Sequence, residues 1–138
     1  VSDPSPLLAM RAGLITRFAA DQALIALLGG SARLYDEPPR GALPVYALFG
    51  DGEVRDDSVD GAGRHLHRHE LAVIARPGSA RTALDAAARM AALLEATDMP
   101  LQGCRLVTIR VSALRATRDP RTGEARASLT VEAVTETF

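Results

Sequence analysis

The sequence predicts an α+β domain: a mixed or mainly antiparallel sheet with a long C-terminal hairpin, packed on one side by helices. Three observations carry this. From Cys104 to Arg118 apolar residues alternate with polar ones, and after Asp119-Pro120-Arg121-Thr122-Gly123 the alternation resumes through Ala125, Ala127, Leu129, Val131 and Ala133. Period two on both sides of a turn is the signature of a hairpin with one buried and one wet face. Two upstream stretches repeat apolar residues every three or four positions, as helices with one buried face do. Finally, 138 residues with 47% hydrophobic content make one domain, 1–138, with a core of its own.

The elements follow in order. Leu7, Met10, Leu14, Ile15 and Phe18 predict a helix at about 6–19, with Ser and Asp upstream to cap it. Asp21 can cap a second, short helix carrying Leu24, Leu27 and Leu28, ended by Gly29-Gly30. Arg33–Asp36 and Pro44–Phe49 are short strands, separated by a connection that Pro38-Pro39 and Gly41 force to extend or turn. Asp51–Gly63, with three glycines and few apolar residues, reads as a loop. His67–Arg76 is a strand ended by Pro77-Gly78. Ser79 caps a long helix reaching about Ala96, whose stripe is expected to be Leu84, Ala87, Ala88, Ala91 and Leu94. The hairpin strands close the chain, with Val107, Ile109, Val111 and Ala113 expected on the buried face of the first.

Composition excludes several function classes. The net charge of −1 exerts no global pull on nucleic acid or anionic lipid. No apolar run approaches the length of a membrane span, and the first six residues, with two prolines and no basic group, do not read as a signal peptide. The single cysteine, Cys104, permits no internal disulfide or multi-cysteine zinc site and reads as a small core residue. Every cationic side chain is Arg, and Lys and Asn are absent, as a GC-rich genome would give.

Candidate chemistry is sparse. His65, His67 and His69 alternate, so a continuous strand puts all three on one face. Three imidazoles could hold zinc, with Asp56, Asp57 or Asp60 nearby as oxygen ligand or base, and that is the reading of a metal-dependent enzyme. The plainer reading is that they leave an acidic loop and face solvent. Ser79 lacks the Gly-x-Ser-x-Gly context of a nucleophile elbow. Neither catalytic residues nor a cofactor are expected.

Charge layout is more informative. Residues 51–60 hold Asp51, Glu53, Asp56, Asp57 and Asp60 against Arg55 alone, a local net of −4. Residues 105–126 hold six arginines against Asp119 and Glu124, a local net of +4. Such segments are either solvated faces or the two halves of a contact between copies. A contact joining two different patches runs head to tail, and closes into a ring where its rotation allows. Arg suits it, because the planar guanidinium binds carboxylates bidentately.

The stretches Arg33–Asp51 and Ala75–Arg81, with the order of elements around them, resemble the small tail-completion proteins, or tail terminators, of long-tailed phages. The version encoded in alphaproteobacterial gene transfer agents is the most similar, and the likeness spans about residues 3–136. The resemblance implies a homo-oligomeric ring, usually a hexamer, on the head-proximal end of the tail tube. The ring stops addition of tube protein and joins the head connector or stopper, while DNA passes through it without sequence recognition. It implies assembly in the bacterial cytoplasm, then a place in the neck and tail of the released particle, with no membrane partner. On this reading Arg110, Arg115, Arg118, Arg121 and Arg126 form one side of the subunit or neck interface. Asp51, Glu53, Asp56 and Asp57 form the other. The alternatives are another neck component, stopper or adaptor, and the histidine-based metal enzyme.

Overall fold

The computed structural model describes residues 5–31, 33–37, 45–58, 63–95 and 99–137. The Pro38-Pro39 connection, Asp60, Ala96 and the far N-terminus lie outside the described residues. Helix α1 (Pro6–Ala19) begins where predicted: Pro6 presets the first turn, and the Ser5 hydroxyl accepts from the Leu8 N–H at 3.1 Å. Helix α2 (Gln22–Leu27) is capped by Asp21, whose carboxylate accepts from the Leu24 N–H at 2.9 Å. It stops at Gly29 and Gly30, both at positive φ, and the Gly30 N–H returns to the Ile25 carbonyl.

Asp21 has a second task. Its two oxygens accept from Arg89 Nε and a terminal guanidinium nitrogen at 2.8 and 2.7 Å, tying the start of α2 to helix α3 (Ala80–Glu95). That pairing holds the Asp21 carboxyl down to about 2, against an opposing push from burial. Removing a cap costs about 1 kcal/mol and a half-exposed ion pair up to about 1 more. Asp21→Ala is therefore expected to lose about 2 kcal/mol in urea unfolding. Arg89→Ala should lose only the smaller share, and equal losses would show that the cap contributes nothing.

The five strands are β1 (Leu34–Tyr35), β2 (Val45–Asp56), β3 (Arg64–Ala75), β4 (Cys104–Arg118) and β5 (Ala125–Thr137), in the spatial order β1-β2-β3-β5-β4. Among the described residues only β1 and β2 pair in parallel. Helix α3 links β3 to β4, and β5 returns antiparallel into the gap between them. The second hairpin strand is thus central, and Ala125, Ala127, Leu129, Val131, Ala133 and Thr135 are all buried. The tight turn is held by mutual bonds of Asp119 with Glu124 and Gly123, the last at φ 76°.

All three helices contribute to one core with one face of the sheet. Met10, Leu14, Phe18, Leu24 and Met90 pack with Phe49, Leu71, Val73, Leu129 and Val131. The other face carries no helix among the described residues and is lined largely by charged and hydroxyl side chains.

Three expectations need correction. The predicted loop from Asp51 is strand as far as Asp56: the ladder with β3 shifts register between Phe49 and Gly52, and then continues. The bulge absorbs the residues around Gly50 without ending the pairing. In α3 the buried residues are Ala83, Ala86, Ala87, Met90 and Leu94, so the stripe is rotated and Leu84 is 42% exposed. In β4, register shifts between Leu106 and Thr108 and between Val111 and Ala113 break the simple alternation. Leu106, Ile109, Val111, Leu114 and Ala116 consequently share the helix side by register with β5, while Val107 and Ala113 are exposed.

Candidate assembly surface

The strand order places the two charged segments on opposite edges of one sheet. The acidic half of β2 pairs with β3 on one side; on its other side β1 pairs only with Ala47 and Leu48. From Asp51 to Asp56 that outer edge has no strand partner among the described residues, and Asp51, Glu53 and Asp56 are exposed. At the far edge, β4 pairs with no strand but β5 among the described residues, and carries Arg105, Arg110, Arg115 and Arg118. Three strand spacings, about 14 Å, separate the edges, and the ion pairs of the acidic edge, Glu53–Arg55 and Asp57–Arg64, do not reach the β4 arginines.

Cross-strand register ranks the arginines further. Glu53, Arg68, Glu132 and Arg110 lie at one level across the sheet. Glu132 and Glu136, on β5, already engage Arg110 at 2.8 Å and Arg105 at 2.6 Å. Arg118 donates to the Gly123 carbonyl within the hairpin, while Arg121 lies in the turn, its backbone N–H held by Asp119. Arg126 sits on β5, at the level of Ile74 and Thr117, rather than on the edge. On the acidic side Asp57 pairs with Arg64 at 3.4 Å and Glu53 with Arg55 at 2.7 Å. These are exposed pairs of small individual worth, free to exchange partners at a contact.

Sequence reasoning missed two features of this surface. The unpaired backbone of the β4 edge is one, since strand order is a tertiary property. The other is an apolar shelf beside it: Leu84 of α3 is 42% exposed and Leu114 of β4 is 48% exposed. Leu84, Ala116 and Ala127 line a cavity of about 260 Å³ between helix and strands. The signal was the interruption of β4 alternation at Leu114.

The histidines lie on the helix side of β3, on one face as their spacing requires, but His67 and His69 are buried rather than facing solvent. Their rings stack 5.7 Å apart, His67 Nε2 lies 2.8 Å from Thr135 Oγ1, and His69 Nε2 lies 3.5 Å from His67 Nδ1. Burial, with neighbouring cations adding to it, pushes both down to about 4, so both rings are neutral at pH 7. No cluster of His, Cys, Asp or Glu with metal-holding geometry occurs among the described residues. Cys104 is buried at the start of β4, and burial pushes its thiol up, away from the reactive thiolate.

A surface groove of about 440 Å³ opens on the helix-free face between Arg55, Arg68, Arg110 and Glu132. Its charges are of both signs, unlike the mostly apolar lining of a small-molecule site. No described helix is long and apolar enough to cross a membrane.

Residues 12–136 match the family described as tail completion protein gp17. Among solved structures, the chain is similar to one in the virion of a native gene transfer agent (GTA) particle. The two are 29% identical, with a TM-score of 0.84, over 96% of this chain and 99% of that one. No curated protein matches.

Proposed function

Because the chain belongs to the tail completion protein gp17 family, we propose that it is the tail terminator of a gene-transfer-agent-like particle, a structural subunit without catalytic work. Copies close into a ring of six, the number the resemblance implies, on the head-proximal end of the tail tube. The ring stops tube growth and joins the tube to the head connector or stopper, with DNA passing through its hole. The observation that carries the reading is the near end-to-end likeness to a chain of a gene transfer agent virion. Supporting it, the most distinctive surface is a pair of complementary charged edges, which suits contacts between copies.

Electron microscopy of particles from a producer lacking this gene tests the reading. Overlong or unjoined tails beside filled heads are expected. Normal, joined particles would remove the terminator role.

A further inference from the structure

We infer that neighbouring copies join edge to edge, the outer edge of β4 in one copy pairing as an antiparallel strand with the Asp51–Asp56 edge of β2 in the next, so that the sheets run continuously around the ring. The inference rests on the ring reading and specifies its contact.

Four observations converge on it. Both edges lack a strand partner among the described residues, and they belong to the same sheet. Unpaired N–H and C=O groups along an edge are a template for another strand. Their charges are complementary: Asp51, Glu53 and Asp56 stand on one edge, and Arg110, Arg115 and Arg118 on the other. Strand direction also agrees. β2 and β5 run one way, β3 and β4 the other. A rotation axis along the strands preserves direction, so the next copy's β2 arrives antiparallel to β4 and the up-down alternation continues unbroken. Finally, Leu84 and Leu114 are exposed in the single copy and lie on the β4 side, where a neighbour would cover them.

A closed sheet has no edges, and its strands tilt and stagger around the axis. Without stagger, Glu53 meets the level of Arg110, because those residues share a level within each copy. Stagger shifts the partner along β4, toward Arg115 in one direction or Arg105 in the other, and away from Arg110, which is internally paired with Glu132.

The test is cross-linking within assembled particles. Chains carrying Cys104→Ser and Glu53→Cys, with Arg105→Cys, Arg110→Cys or Arg115→Cys, are produced in place of the natural chain and treated with a short bismaleimide. A ladder of linked copies is expected from at least one double-site chain and from none of the single-site controls. Particles that contain the chain yet give no ladder from any pairing overturn the edge contact while leaving the ring intact. Absence of the natural chain from particles overturns the ring reading, and the contact with it. Should the cysteine chains not enter particles that accept the natural one, reconstruction of the natural neck by cryo-electron microscopy decides. β4 beside the next copy's β2 upholds the inference, and any other element at that edge overturns it.

Discussion

Acidification from pH 6.5 to pH 4 is expected to remove about 5 kcal/mol of folding stability through His67 and His69. Both are nearly inaccessible, at 3% and 1% exposure, and both are pushed down to about 4 from 6.5. The folded rings resist protonation because burial strips water from the charge. His65 and His69 add repulsion at His67, and Arg11 adds it at His69. His69 Nδ1 is buried without a hydrogen-bond partner, so a proton arriving there finds no acceptor. In the unfolded chain both rings protonate near 6.5. The unfolded state therefore binds more protons below that pH, and stability falls until the folded pKa is reached. A shift of about 2.5 units corresponds to about 3 kcal/mol per ring, a large share of the 5–15 kcal/mol typical of a domain. Asp21 acts in a separate window, because its lowered carboxyl is lost only as pH falls below its ordinary 3.8 toward about 2. Urea midpoints at pH 7.5, 5.5 and 4.5 should drop steeply, and His69→Leu should flatten more than half of the slope, because it also relieves the repulsion at His67. Midpoints that hold steady from 7.5 to 4.5 would show that the rings do not titrate as buried neutral groups.

Phe18→Ala is expected to cost about 3–5 kcal/mol, the largest loss from truncating a single core side chain among the described residues. Phe18 is 1% exposed and is the largest fully buried side chain, on the inward face of α1 in the core with Leu24, Leu28 and Met90. Much of α3's inward face is alanine, which has no long side chains to collapse into a vacated space. The cavity left behind thus stays largely open, and the cavity contribution adds to the lost transfer energy. Leu84→Ala is the internal comparison: Leu84 is 42% exposed, so its loss in the isolated chain should stay below about 1 kcal/mol. Comparable losses at the two positions, measured by urea unfolding, would contradict the observed orientation of α3.

Punctuation made much of the fold legible. Ser5-Pro6, Asp21, Gly29-Gly30 and the Asp119–Gly123 turn each impose a local geometry, and the helices and hairpin begin or end at them. Where the sequence misled, local pattern and tertiary cover disagreed. The second half of β2 extends past its buried segment, Val45–Phe49, so its side chains lose the alternation that marks a half-buried strand. In α3 the many alanines are apolar on several faces and do not define which one faces the sheet. The candidate surface was half legible: the opposed charge segments could be counted, but their placement on opposite edges depends on β5 entering between β3 and β4. That insertion also puts Glu132 and Glu136 beside two of the arginines, a partnership no linear reading could assign.

The two register shifts in β4 bear on how the chain survives before it finds its place. A fifteen-residue exposed strand, if flat, would seed indefinite stacking into fibres during synthesis. Bulges around Val107 and Ser112 twist and offset its backbone at two points, and Arg105, Arg110, Arg115 and Arg118 along it repel a second copy of the same strand laid alongside. The kinked, cationic edge is thereby a poor amyloid template.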